Sequence, residues 1–298
     1  MSGWESTLAP LGQLRRDEPM SRHTTLGVGG LARWYFQPKG RASVAPAMKA
    51  VPDDIAILPL GRGSNLLISD QGFPGIVFDL GGLKQVRIDD DEATAEAGVR
   101  MGKFSQRCAD AGLAGVEFMA TVPGDIGGGV VMNAGAFGQQ VSDTLQTVEI
   151  VRRDGSEARL DARDLAMTYR HTALPGGSLV LSARFRLKRD VAEAVRERMR
   201  EMRYRRGSTQ PLAQKNCGSV FKNPTGDHAA RLIEAAGLKG VQVGHARISE
   251  MHANFIVNEG GASSADVLAL IRRAQKEVES RFGVRLEPEV RMLMEEMP

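Results

Sequence analysis

Two glycine-bearing stretches carry the strongest chemical signal in the chain. Residues 121–138 run Thr-Val-Pro-Gly-Asp-Ile-Gly-Gly-Gly-Val-Val-Met-Asn-Ala-Gly-Ala-Phe-Gly. Glycines set among Val122, Ile126, Val130, Val131, Met132 and Phe137 do not make a linker, because linkers are polar. They mark a buried backbone that another group approaches closely, with no Cβ in the way. An exposed run of amide N–H groups in such a turn suits phosphate oxygens, so the stretch reads as the floor of a cofactor cleft. The second stretch, Gly61-Arg62-Gly63-Ser64-Asn65, follows an apolar strand at 55–60. A Rossmann loop would need a third glycine and a following helix. Here Leu66-Leu67-Ile68 is strand-like, and Gly72, Pro74 and Gly75 soon break the chain. The Gly-Lys-Ser/Thr of a P-loop is missing. This is a phosphate loop between strands.

Other reactive side chains exclude more than they assign. The five histidines, His23, His171, His228, His245 and His252, show no metal spacing. Gly-x-Ser-x-Gly, the signature of a hydrolase serine, is absent. Two cysteines in 298 residues argue for a reducing cytoplasm over a disulfide scaffold. Cys108 reads as a small buried hydrophobe. Cys217 reads as packing, with a thiol open to alkylation if it borders a site. A net charge of +3 is too weak to argue for nucleic acid and is compatible with an anionic ligand. No apolar run reaches the roughly 18 residues a membrane helix needs. Residues 1–20 lack the basic-then-apolar order of a signal peptide and read as a short helix or loose arm.

The elements around these residues follow from periodicity. Residues 24–36 predict a turn and an apolar strand, 42–50 a short helix, and 76–80 another strand. Residues 84–97 predict a hairpin across the acidic turn at Asp89–Asp91. Residues 102–113 are helical by period. Asp154-Gly155 between apolar runs at 147–151 and 157–160 is a hairpin signal. Leu179, Leu181, Ala183, Phe185 and Leu187 alternate as a strand with one buried face. At Asp190 the texture becomes charged and helical, with Val191, Val195, Met199 and Met202 as the stripe, and a domain boundary is expected there. Beyond it come a helix at 228–236 closed by Gly237 and a strand at 254–258. A long helix follows, with Ser263 and Asp266 as its capping box and Gly283 as its stop.

Several stretches, in this order, resemble one family: Gly61–Asn65; Val122-Pro123-Gly124; Asn133-Ala134-Gly135-Ala136-Phe137-Gly138; Tyr169-Arg170; Gly218-Ser219-Val220-Phe221-Lys222-Asn223-Pro224; His252-Ala253-Asn254-Phe255-Ile256-Val257-Asn258; and Glu287-Pro288-Glu289-Val290-Arg291. The family is UDP-N-acetylenolpyruvoylglucosamine reductase, and the resemblance runs from about Thr24 to Arg291. The short segment from Tyr169 to Leu187 resembles the compact subtype, without an extra substrate-covering loop. The fold implied is α+β: an FAD-binding module of the vanillyl-alcohol-oxidase/p-cresol-methylhydroxylase type in two subdomains, and a C-terminal α+β substrate lobe. The boundaries expected are an arm at 1–20, the FAD-binding domain at 21–189 with its split near 81, and the lobe at 190–298.

The chemistry implied by the resemblance is reduction of an enolpyruvyl group in bacterial wall synthesis. NADPH is the hydride donor and non-covalent FAD the carrier, since neither glycine loop holds a histidine or cysteine. Hydride addition builds negative charge on C2 and the carboxylate, which the site must stabilise and then protonate. Arg170 is implied for the charge, Ser219 as proton donor, and Glu289 as the acid that helps delivery. The cofactor set implied is Gly61, Arg62, Gly63, Ser64, Asn65, Pro123, Gly124, Asp125, Gly127, Gly128, Gly129, Asn133 and Gly135. Asp125 is discordant there, because a carboxylate near phosphates is repelled. Tyr169, Arg206, Lys222, Asn223 and His252 are implied for the UDP-sugar. A cytoplasmic monomer is expected, with no metal, nucleic acid or membrane. The competing expectations are an FAD-dependent oxidase of the same fold and a non-catalytic nucleotide-sugar-binding protein.

Overall fold

Alternating apolar residues and glycine punctuation build the sheets. The computed structural model describes residues 3–294. The chain divides into two compact units: the first takes the N-terminus to Arg16, Trp34–Arg62 and Pro74–Arg205, and the second takes Asp17–Arg33, Gly63–Phe73 and Arg206 onward.

The first unit holds a five-stranded antiparallel sheet in the order Glu157–Asp161, Leu145–Val151, Leu179–Arg186, Glu92–Glu96, Val86–Asp89. Asp90, at φ +52, closes one hairpin and Gly155, at φ +83, closes the other. The central strand Leu179–Arg186 is buried on both faces over most of its length, not on the one face its alternation suggested. It is flanked by strands on both edges, and the short helix Ile126–Val131 packs on it. A second sheet runs Gly12–Pro19, Leu31–Pro38, Phe73–Asp79, Ile57–Leu60, its last two strands parallel. The helices Gly3–Leu8 and Val44–Ala50 belong to the same unit. Leu8, Val44, Met48, Phe36, Phe78, Phe104 and Phe185 share one core.

The second unit has an antiparallel sheet ordered Lys215–Asn216, Ile256–Asn258, Ala246–Ile248, Gln242–Val243. Arg291–Leu293 pairs in parallel with Leu66–Ile68. The helix Ser264–Phe282 starts at a complete Ser263/Asp266 capping box and ends at Gly283 in the left-handed conformation. Its Val267, Ile271, Ala274 and Val278 join Leu26, Val28, Leu67, Leu232 and Ile256 in a separate core.

This division differs from the sequence-based boundaries at 20/21 and 189/190. Ala192–Gly207 falls largely in the first unit because Val195 and Met199 pack on Ala109, while Arg198 pairs with Glu117 and Asp190. Val191, expected in the apolar stripe, precedes the helix and is 68% exposed. Segments 17–33 and 63–73 fall in the second unit, whose core takes Leu26, Val28 and Leu67. Among the described residues no helix is long and apolar enough to cross a membrane.

Candidate active site

In the first unit, the glycine stretch contains an element that its composition concealed. Ile126–Val131 is a helix of one and a half turns, preceded by Gly124 at φ +132. The expected run of open amides is therefore shorter than the sequence suggested. Ile126 N donates to Val99 O, Gly127 N to Ala97 O and Gly129 N to Asp125 O, each at 2.9 Å. Two of the three consecutive glycines serve packing. A Cβ on Gly127 would lie 3.0 Å from Ala97 Cβ, and one on Gly129 would lie 2.9 Å from Met101 Sδ. Gly128 alone of the three is exposed, with open space where a side chain would stand. That gap is where a ligand can meet the backbone.

Asp125 stands at the N-terminal boundary of this helix without a side-chain capping bond, and is 5% exposed. Its Oδ2 would be 2.7 Å from a Cβ on Gly61, so Gly61 is glycine to admit the carboxyl. Its Oδ1 has no hydrogen-bond partner among the described residues. Burial pushes its pKa up to about 6; Arg62 and Arg100 oppose that rise, Asp79 adds to it and Lys84 opposes it. Asp125 is therefore more easily protonated than an ordinary carboxyl, which lessens the conflict with a phosphate. The exposed Gly61 and Arg62, the open face at Gly128, and the cations Arg62, Arg100 and Lys84 around one buried carboxyl fit an anionic nucleotide cofactor.

Arg170 also lies in this unit, with Tyr169. Its backbone is left-handed, φ +59, in a tight turn where Thr168 and His171 exchange hydrogen bonds. Its Nη2 donates to Gly135 O at 3.2 Å, and its guanidinium carbon lies 4.9 Å from the Tyr169 ring centroid. A non-glycine residue at positive φ is uncommon and is kept where surroundings over-determine it. Asn133 is fully buried, and its amide bonds to protein atoms: Gln140 Oε1, Thr168 O and Ser142 N.

The second unit brings together Ser64, Asn65, Ser219 and Glu289. Glu289 N donates to Val220 O at 2.7 Å, which sets Glu289 beside the residue after Ser219. Asn65 Nδ2 donates to Glu289 O at 3.0 Å, and Asn65 O accepts from Arg291 N. Gly218, at φ +79, would carry a Cβ 3.8 Å from Ser64 O. Asn254 holds the strand after Ser219 from the other side: Val220 N donates to its carbonyl, and its side chain bonds both polar groups of the Phe221 backbone. Gly63, at φ +61, is demanded by packing, since a Cβ there would meet His23 O at 2.2 Å. Ser219 and Glu289 are half-buried, so both remain reachable. Cys217 is buried, and burial pushes its thiol up to about 12. That closes it to alkylation, against the sequence-based suggestion.

The residues expected for the UDP-sugar, Tyr169 apart, also lie here. Lys222 pairs with Glu287, and Asn223 Oδ1 accepts from Ala229 N at 3.1 Å. His252 stacks edge-on against Phe255, with ring centroids 4.8 Å apart. Burial lowers its pKa, aided by Lys239 and Arg206, against its own backbone hydrogen bond and Glu234. It is a neutral imidazole at neutral pH. Among the described residues no group of three or more His, Cys, Asp or Glu could hold a metal. Composition and spacing gave no sign of the framework roles of Asn65, Asn133 and Asn254, because an amide bonding to distant backbone leaves no local pattern.

Comparison with known proteins identifies the family. The family model for an FAD binding domain matches residues 32–161. The model for the C-terminal domain of UDP-N-acetylenolpyruvoylglucosamine reductase matches residues 210–293. The reductase of Alkalilimnicola ehrlichii is 44% identical, over 95% of this chain and 96% of its own. That of Acidiphilium cryptum is 39% identical, over 98% of this chain and 95% of its own. The crystal structure of the Thermus caldophilus enzyme superposes with a TM-score of 0.82 at 35% identity, covering 94% of this chain and 99% of that one. With an α+β fold, an FAD-binding module and relatives this similar along nearly its whole length, the chain belongs to the UDP-N-acetylenolpyruvoylglucosamine reductase family.

Proposed function

We propose that this chain reduces the enolpyruvyl group of UDP-N-acetylenolpyruvoylglucosamine to UDP-N-acetylmuramate for peptidoglycan synthesis, in the cytoplasm, with NADPH as electron donor. Bound FAD supplies the relay of a hydride from NADPH to the enolpyruvyl methylene carbon. Arg62, the backbone of Gly61, Gly63 and Pro123–Gly129, and Ser64 hold it without a covalent bond. Asp125, more readily protonated than an ordinary carboxyl, lies beside the diphosphate with less repulsion than an ordinary carboxylate would exert. Arg170 grips the substrate carboxylate in a planar fork and stabilises the negative charge that develops there. Ser219 delivers the proton to C2, and Glu289 supports that delivery. Lys222, Arg206, Asn223, Tyr169 and neutral His252 orient the UDP-sugar, with Lys222 exchanging Glu287 for a phosphate.

The observation that supports the roles of Ser219 and Glu289 is the convergence in the second unit: the Val220 carbonyl takes the Glu289 amide, and Asn65 takes the Glu289 carbonyl. Residues distant in sequence are thereby fixed beside a serine that no fold-forming hydrogen bond among the described residues claims. The test compares the two half-reactions in Ser219→Ala and Glu289→Gln. Flavin reduction by NADPH should stay near the parent rate, while reoxidation by the enolpyruvyl substrate slows about 10²–10⁴-fold for Ser219→Ala. Equal losses in both halves would assign these residues to flavin support.

A further inference from the structure

Asn133 is fully buried, sits at φ +39, and spends its whole side-chain amide on protein partners. Its Nδ2 donates to Thr168 O at 3.0 Å and to Gln140 Oε1 at 3.2 Å, and its Oδ1 accepts from Ser142 N at 2.9 Å. A buried amide satisfied on both sides fixes what it touches, because breaking one bond leaves a buried polar group unpaired. What it touches is the support of Arg170 from two directions. Thr168 opens the tight turn that holds Arg170 at positive φ. Gln140 lies in the two-stranded ribbon of Gly135–Ala136 and Gln139–Gln140, whose Gly135 carbonyl receives the Arg170 guanidinium. Thr172 Oγ1 then ties the far side of the turn to Val130 O at 2.6 Å.

We propose that Asn133 is a positioning residue for Arg170: it locks the Thr168–His171 turn to the ribbon carrying Gly135, so that the guanidinium is held in one orientation for the substrate carboxylate. The side chain does not serve the flavin. The proposal rests on the reading of Arg170 as the carboxylate grip. It explains why the segment joining the glycine helix to the ribbon carries an asparagine in a backbone conformation that asparagine tolerates better than most residues.

The test uses FAD-loaded protein and the variants Asn133→Gly, Arg170→Ala, their combination, and Gln140→Met. Glycine at position 133 takes the positive φ without strain and removes the whole side chain, its amide included. FAD affinity is read by flavin fluorescence, and the two half-reactions are read anaerobically. For Asn133→Gly, FAD affinity and reduction by NADPH should stay within about twofold of the parent, while reoxidation by the enolpyruvyl substrate slows about 100-fold. In the Arg170→Ala background the same change should alter reoxidation by less than about threefold, since nothing remains to be positioned. Gln140→Met removes one acceptor of the amide and should give the same selective loss at smaller size, which carries the test if Asn133→Gly fails to fold. A fall in FAD affinity with equal loss in both half-reactions, or losses that multiply fully in the double variant, overturns the proposal. Selective loss in Arg170→Ala without one in Asn133→Gly overturns the role of Asn133 alone. An Arg170→Ala protein that reoxidises like the parent removes the reading of Arg170, and the positioning role with it.

Discussion

Arg170 and Asp125 depend on their surroundings in opposite ways. Arg170 is useful for its planar fork, held by Gly135 O and the Tyr169 ring. Arg170→Lys keeps the charge and loses the fork, so substrate-driven reoxidation should fall about 10–100-fold with flavin reduction unchanged. Stopped-flow traces of each half-reaction check this. Asp125 is a cost to the fold when ionised. Its folded pKa, about 6, lies above its ordinary 3.8, so between those values the folded protein holds more protons than the unfolded one. Stability therefore falls as pH rises from about 4 to about 6, by on the order of 3 kcal/mol for this group, and the penalty is full above that window. Asp125→Asn should flatten that part of the Tm–pH curve and raise Tm at pH 7 and above. It should also tighten FAD at pH 8, where the parent carries a carboxylate. A parallel Tm–pH curve for the variant would show that Asp125 ionises freely in the folded protein.

The elements differ in how openly the sequence declares them. The long C-terminal helix was legible at both ends, because its capping box and its left-handed glycine are local devices. The hairpins at Asp90 and Gly155 were legible for the same reason. The helix Ile126–Val131 was not. Three consecutive glycines are the poorest helix formers short of proline, and only tertiary packing against Ala97 and Met101 keeps them helical. The same packing separates the roles of the glycines. Gly127→Ala must push Ala97, and should destabilise the protein by about 1–3 kcal/mol. Gly128→Ala meets nothing, so Tm of the flavin-free protein should hold or rise slightly while FAD binding weakens. Calorimetry with and without FAD reads both. Equal Tm losses in the two variants would mean that Gly128 also serves packing.

At the scale of the whole molecule, two cores of different chain segments carry the candidate residues. Gly61, Arg62, the glycine stretch at 121–138, Tyr169 and Arg170 belong to the first, and Gly63, Ser64, Asn65, Ser219, Glu289 and most of the expected sugar contacts to the second. The types of the candidate residues were readable because they lie in short motifs. Their supports were not: Asn65 reaches Glu289 across most of the chain length, and no local periodicity encodes that reach. The segments 17–33 and 63–73 likewise join the second unit through Leu26, Val28 and Leu67, a pairing that only folding reveals. The measurement that tests the proposed function most directly is an anaerobic titration of the purified, FAD-bearing protein. NADPH should bleach the flavin, and stoichiometric UDP-N-acetylenolpyruvoylglucosamine should restore its colour with formation of UDP-N-acetylmuramate. A flavin that recolours only on admission of oxygen, or that NADPH leaves unbleached, would contradict it.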